Sequence, residues 1–97
     1  MILVKFHPQA EAEFIAAAKY YESQQKNLGV RFISSVEAGV ARITSNPHLF
    51  PVIGQDVRQC LTRTFPFGIV FRDTKEQIEI IAIMHLKREP GYWKKRK

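Results

Sequence analysis

Cysteine is almost absent from this chain, since Cys60 is the single thiol among 97 residues. One cysteine excludes an internal disulfide, and three histidines without a second thiol provide none of the usual zinc-ligand spacings. The sequence also lacks a Gly-rich phosphate loop and a G-x-S-x-G motif. We therefore expect no metal and no cofactor, and we interpret the composition as that of a reduced, cytoplasmic protein.

Long apolar runs are missing as well. No segment approaches the roughly 20 apolar residues that cross a bilayer. The apolar start, residues 1–6, is followed by no long apolar core and no small-residue cleavage site, so we do not expect a signal peptide. These absences predict a protein with no membrane partner.

Acidic residues are few, with nine Asp and Glu against fifteen Lys and Arg and a net charge of +6. The excess is concentrated in a basic tail, residues 87–97, where Glu89 is the one acid. The six cationic residues of this tail are Lys87, Arg88, Lys94, Lys95, Arg96 and Lys97. Such a tail favours a polyanion or an acidic protein as partner, and a merely solubilising tail is the alternative.

Apolar spacing predicts one strand and then two helices. Residues 1–7 are β-branched and apolar, as in a strand inside a sheet, and Pro8 suits the first turn of a helix. Helical spacing relates Ala10, Phe14, Ala17 and Tyr21, and then Phe32, Ile33, Val36, Val40 and Ile43. The interruption at Asn27 and Gly29 is so short that the helices must form an antiparallel hairpin. We interpret Glu11, Glu13 and Glu22 as a solvated helix face.

The second half of the sequence predicts three strands after an apolar loop, residues 47–56, that covers the core as a lid. The strands are expected within residues 57–65, 69–72 and 78–84, the last of them buried on both faces. The predicted fold is α+β: an N-terminal strand, an antiparallel helix hairpin and a three-stranded antiparallel meander, which form one sheet packed on the helices. Residues 1–97 are expected to form a single domain.

Cationic and aromatic residues form the candidate site at the end of the last strand. His85 is a candidate general acid or base for RNA cleavage, Tyr92 a second proton donor, and Arg63 or Arg88 a phosphate clamp. The meander places Arg63 nearer than Arg72 to His85. The alternative is structural: His85 closes a buried strand, while Tyr92 and Trp93 seal the edge of the sheet.

Several short motifs resemble the RelE/ParE superfamily of type II toxins. They are Tyr20-Tyr21, Asn46-Pro47 with Pro51, Val57-Arg58, Phe65-Pro66-Phe67, and the terminal pattern His85-x-x-Arg88-x-Pro90-x-x-Trp93-x-x-Arg96. The resemblance runs nearly from end to end and implies a growth-inhibiting toxin, of the kind used in plasmid stabilisation, that a cognate antitoxin neutralises.

The resemblance leaves two targets open. A ParE-like toxin acts on DNA gyrase without catalysis, through contacts of Arg58, Lys87, Arg88, Trp93 and Arg96. A RelE-like toxin is an endoribonuclease that cleaves mRNA on the ribosome, here with Arg63, His85, Arg88 and Tyr92 as catalytic residues. Gly68 stands where a third-strand arginine is common, and Leu61 and Thr62 replace a lysine-rich run. These departures favour the ParE-like branch.

Two further hypotheses concern the partners of the protein. The antitoxin is expected to bind the apolar helix hairpin in the region of Phe14, Tyr21, Val36 and Val40, because a disordered antitoxin segment can lay a helix along such a surface. The alternative is that this segment adds a strand to an open edge of the sheet. The plainest alternative function is a basic binding module without toxicity.

Overall fold

The chain folds into one strand, two helices and three further strands. The computed structural model describes residues 2–96, with β1 (Leu3–Phe6), α1 (Pro8–Gln24), α2 (Leu28–Ser45), β2 (Val57–Leu61), β3 (Phe67–Asp73) and β4 (Gln77–His85). The four strands form one sheet in the order β1-β4-β3-β2, in which only β1 and β4 are parallel. The predicted α+β class, helix hairpin and meander are confirmed. The prediction that the first strand lies inside the sheet is wrong, since β1 is an edge.

Local polar contacts set the ends of the helices. His7 caps α1, because its Nδ1 accepts a hydrogen bond from the N–H of Gln9 at 3.0 Å. Glu22 is exposed, as predicted, and also accepts hydrogen bonds from the N–H groups of Asn27 and Gly29, each at 3.0 Å. It thereby satisfies donors at the start of α2 that have no partner within the helix. Among residues 2–96, no helix combines the length and apolar character needed to cross a membrane.

The main core lies between the helix hairpin and one face of the sheet. At its centre lie the rings of Tyr21, Phe32, Phe65 and Phe67, which form edge-on or tilted pairs. The centroid of the Phe32 ring is 4.9 Å from that of Phe67 and 5.3 Å from that of Phe65. Phe32 has no exposed surface. Offset and edge-on pairs are the favourable arrangements of aromatic rings, so this cluster stabilises the contact of both helices with the sheet.

β4 is buried on both faces, as its sequence predicts. Its pairing with β3 shifts by one residue, because Phe71 lies opposite Ile80 while Val70 lies opposite Ala82, which leaves Ile81 as a bulge. Ile80 and Ile83 contribute to the main core, whereas Ile81 and Ala82 lie in a second apolar cluster on the other side of the sheet. We call this other side the outer face.

The loop between α2 and β2, residues 46–56, contacts β2 more than it covers the core. Phe50 packs on Phe71 with ring centroids 6.0 Å apart, as expected of a lid. Leu49 and Val52, by contrast, are 74% and 54% exposed. Val52 forms a bridge with Arg58 at the outer edge of β2. The loop therefore shields part of an edge that would otherwise leave backbone groups unpaired.

Candidate functional site

The C-terminal segment, residues 86–96, folds over the outer face of the sheet. Trp93 is only 5% exposed and packs with Val57, Val70, Ile81 and Ala82. Gly54 lies so close that a Cβ at this position would be 3.1 Å from the indole ring. Trp93 therefore anchors the segment, and the prediction that it contacts a target is corrected by its burial.

One carboxylate on α1 fixes the end of this segment. Glu13 accepts hydrogen bonds from the Tyr92 hydroxyl at 2.7 Å and from two nitrogens of Arg96 at 2.8 and 2.9 Å. It also accepts the backbone N–H of Ile83 at 3.0 Å, while Arg96 donates to the carbonyl of Ile81 at 3.1 Å. The paired region of β1 ends opposite Ile80. Glu13 and Arg96 thus provide hydrogen-bond partners for the backbone N–H of Ile83 and the carbonyl of Ile81, at the edge of β4 that β1 no longer covers.

The protonation states in this cluster follow from its contacts. Burial raises the pKa of Glu13, but hydrogen bonds from Arg96, Tyr92 and Ile83 outweigh burial and leave the pKa below 4.5. Burial, together with the hydrogen bond to Glu13, raises the pKa of Tyr92 above its ordinary value of 10.0. Tyr92 therefore stays protonated, and its proton is directed at Glu13. This arrangement is structural and is poorly suited to proton transfer with a substrate.

Exposed cations surround this fixed core. The guanidinium of Arg88 lies 3.8 Å from the centre of the Tyr92 ring, within the range of a cation–π contact. Lys87, Arg88, Lys94 and Lys95 are all exposed. A cleft of about 430 Å³ beside Trp93 is also lined by Lys94, by Arg96, and by Arg72 together with its ion-pair partner Asp56. Lys97 belongs to the predicted basic tail but lies outside the described residues. The segment thus presents exposed positive charges, while Trp93 and the hydrogen bonds of Glu13 hold it on the sheet.

The other predicted cationic and acid–base residues make contacts of their own. Arg58 donates a hydrogen bond to the carbonyl of Phe50 at 2.7 Å, which holds the loop against β2. The side chain of Arg63 lines a separate hollow beside α2. The ring of His85 packs edge-on against that of Phe67, with centroids 5.1 Å apart. Its Nδ1 accepts a hydrogen bond from the backbone N–H of Lys87 at 3.0 Å. Arg72 is paired with Asp56 and Glu79.

Gly68 lies on β3, at the position where a cationic residue is missing from this sequence. It lies opposite Leu61 on β2 and Met84 on β4. A Cβ at Gly68 would be 2.6 Å from Oε1 of Gln59, so Gln59 occupies the space of any larger side chain. An arginine at position 68 would therefore require the side chain of Gln59 to move.

The residues predicted to bind an antitoxin belong largely to the main core. Val36 has no exposed surface, which corrects its assignment as a contact residue. Phe14, Tyr21 and Val40 are partly buried against the same core. Glu13, in contrast, was interpreted as solvated and is the central residue of the site. Eighty-three positions separate it from Arg96, and no periodic pattern in the sequence relates the two.

Comparisons with known proteins agree with this architecture. The model of the family described as "ParE toxin of type II toxin-antitoxin system, parDE" matches residues 4–90. A solved chain from the chromosomal ParDE toxin–antitoxin system of P. aeruginosa superposes with a TM-score of 0.78 at 19% identity, covering 90% of this chain and 98% of that one. A search of curated proteins gives no significant sequence match. Because the family model spans most of its length, the chain belongs to the ParE toxin family of type II toxin–antitoxin systems.

Proposed function

We propose that this ParE-family toxin inhibits growth by acting on DNA gyrase and that a cognate antitoxin neutralises it. The family match supports the toxin role. The structural similarity to a chain of a ParDE system, although it demonstrates only a shared fold, is consistent with an antitoxin partner. In this proposal the C-terminal segment is a contact surface, and the protein carries out no catalysis.

One observation favours contact over catalysis. The hydroxyl of Tyr92 is 2.7 Å from the carboxylate of Glu13, and its pKa is raised by burial and by that hydrogen bond. A ribonuclease that used Tyr92 would need this hydroxyl at the scissile phosphate. The contacts of Tyr92 instead stabilise the segment that presents Arg88. The ParE-like hypothesis therefore fits the geometry better than the RelE-like one.

Arg88 is the residue on which we expect target binding to depend most. It is exposed, lies over the Tyr92 ring and forms no ion pair among residues 2–96. Its position over the ring fixes a positive charge that a flexible lysine would not fix. Such a charge is suited to an acidic surface or a phosphate group on the target.

The test is induction of the protein without an antitoxin. We expect DNA damage with intact mRNA, and we expect Arg88→Ala to reduce toxicity with cooperative unfolding preserved. Lys75→Ala, in the exposed turn before β4, is the matched control and should remain toxic. Prompt cleavage of mRNA in phase with codons would instead indicate the ribosome as target. Normal growth with the intact, folded protein would contradict both toxin mechanisms and favour a basic binding module.

The antitoxin part of the proposal has a separate test. We expect a small acidic protein encoded beside this chain to bind it and to restore growth when the two are produced together. A neighbour that binds without restoring growth would contradict neutralisation. The toxin mechanism would still be judged by the induction experiment.

A further inference from the structure

A second basic surface lies beside α2, away from the C-terminal segment. It is a hollow of about 390 Å³ between α2 and the turn that joins β2 to β3, residues 62–66. Arg31 and Arg42 of α2 and Arg63 of the turn line it, and no carboxylate is among its lining residues. We call this surface the α2 trough. Arg63 belongs to the predicted catalytic set, but neither that set nor the proposed contact surface accounts for Arg31 and Arg42.

Helix geometry places the cations of α2 at the two ends of one stripe. Arg31, Ser34, Ala38 and Arg42 follow each other at spacings of three or four residues and so lie on one side of the helix. Arg42 follows Arg31 by eleven positions, which corresponds to about 16 Å along the helix axis. On this stripe the residues between the two arginines, Ser34 and Ala38, are small. A partner can therefore approach the helix closely between two positive charges.

The arginines of the trough retain most of their donors. The side chains of Arg31 and Arg63 form no hydrogen bond or ion pair in the part of the chain that the structure describes. Arg42 donates from Nη2 to the carbonyl of Leu61 at 3.3 Å, and its Nε is buried and so is not accessible to a partner. A guanidinium with unused donors is a strong binding group for a carboxylate or phosphate.

The turn that carries Arg63 is held in a strained conformation. Thr64 has a φ of 75°, which is uncommon for a β-branched residue. The hydroxyl of Ser35 donates to the carbonyl of Arg63 at 2.6 Å, and that of Thr62 donates to the carbonyl of Phe65 at 2.9 Å. These bonds fix the turn against α2. Strain that the surrounding structure maintains is characteristic of binding and catalytic sites.

The apolar part of the trough distinguishes between the two classes of anionic partner. Phe65 and Ala38 lie among its lining residues, and Val30 at its edge is 59% exposed. Beyond Arg42 lies a second hollow, of about 460 Å³, beside Leu49, which is 74% exposed. Cationic and apolar groups therefore alternate along α2. A nucleic-acid backbone uses the cations alone, whereas an acidic peptide with apolar side chains uses both.

We propose that the α2 trough binds an acidic segment of a partner protein in which apolar side chains stand between the carboxylates. Arg31, Arg42 and Arg63 pair with the carboxylates, and the apolar side chains lie against Ala38, Phe65 and Leu49. The segment is expected to cover most of the exposed side of α2. This binding does not depend on the target of the C-terminal segment, so the proposed function and this inference succeed or fail separately.

The experiment uses the full chain and a fluorescent synthetic peptide in which pairs of glutamates alternate with leucines. Anisotropy measures binding in moderate salt, and NMR shifts of the labelled protein locate it. We expect Arg31→Gln with Arg63→Gln to weaken binding on the order of tenfold, since charge-assisted pairs are lost. Lys5→Gln with Lys75→Gln removes the same charge from exposed positions elsewhere and should weaken it less than about twofold.

Control probes test each part of the inference. A peptide with glutamine for glutamate and one with serine for leucine should both bind much more weakly, and the largest NMR shifts should lie at residues 30–42 and 62–66. Equal weakening by the two double variants would overturn the proposal, as would shifts confined to residues 86–96. A short mixed-sequence DNA duplex that binds here more tightly than the peptide would assign the trough to nucleic acid and also overturn it. Circular dichroism verifies that both double variants are folded.

Discussion

The two faces of the sheet are covered by different means. The helix side is buried by a broad core in which Phe32 contacts the rings of Phe14, Tyr21, Phe65 and Phe67. The outer face is covered mainly by Trp93, and the segment that carries it is fixed by the hydrogen bonds of Glu13. Stability on the first side depends on buried area, and on the second side on a few specific contacts. We therefore expect changes on the helix side to affect the whole fold and changes on the outer face to act locally.

The largest effect is expected from Phe32→Ala. This residue is fully buried at the centre of the aromatic cluster, and truncation of such a side chain costs about 4 kcal/mol. Urea or thermal unfolding of the purified protein measures the loss. Val30→Ala, at an exposed position two residues earlier on the same helix, is the control and should change stability by less than about 0.5 kcal/mol. Similar losses in both variants would contradict a core centred on Phe32.

Trp93→Ala should have a smaller and more local effect. The indole fills the outer face, so its loss costs about 3 kcal/mol in the docking of the C-terminal segment. Hydrogen exchange should accelerate at the amides of residues 81–83, because Glu13 and Arg96 no longer protect that edge. The amides of α2 should stay protected. Equal acceleration in both regions would mean that the two faces unfold as one unit.

Glu13→Gln removes the charge on which the outer-face cluster depends. We expect a loss of about 2 kcal/mol near neutral pH, because Arg96 loses its paired carboxylate. The pKa of Glu13 is lowered in the folded state. Its contribution is therefore complete above pH 4.5 and is lost as the pH falls through the folded-state pKa.

The comparison of pH profiles isolates this residue from the other acids. Below pH 4.5 the wild type should lose its advantage over Glu13→Gln, so the two unfolding curves should converge. Glu11→Gln, at an exposed position in the first turn of α1, is the matched control and should keep the acid-side profile of the wild type. A constant difference between wild type and Glu13→Gln across this range would show that the pKa of Glu13 is the same in the folded and unfolded states.

The helix side of the molecule was predictable because its information is periodic and local. The spacing of Ala10, Phe14 and Tyr21 defines the buried stripe of α1, and all three contribute to the main core. Double-sided burial of β4 also followed from its continuous apolar run. The bulge at Ile81 did not, since a shift of register depends on the pairing with β3 and leaves no pattern along the strand.

The outer face was harder to predict because its contacts join distant positions. Glu13 lies on a helix face that looks solvated, and its partners Tyr92 and Arg96 lie near the other end of the chain. Arg63 lies in the turn at the His85 end of the sheet, as predicted, whereas Arg72 lies opposite Glu79. That Arg63 lines the hollow beside α2 was not predictable, because no sequence pattern relates the turn to that helix. Residue type predicted Tyr92 and Arg88 as members of the candidate site. Only the fold distinguishes the buried hydroxyl from the exposed cation.

The smallest effect is expected from Tyr92→Phe, and it separates contact from catalysis. Phenylalanine keeps the ring beneath Arg88 and loses one hydrogen bond to Glu13, so the cost is about 1 kcal/mol. The pKa of Tyr92 is raised in the folded state, so its contribution is present below pH 10.0 and is lost as the pH rises above that value. The variant should lack this alkaline loss. If the surface acts by contact, Tyr92→Phe should remain toxic while Arg88→Ala does not. The opposite result, with loss of toxicity on removal of the hydroxyl alone, would require Tyr92 to leave Glu13 and act on a substrate.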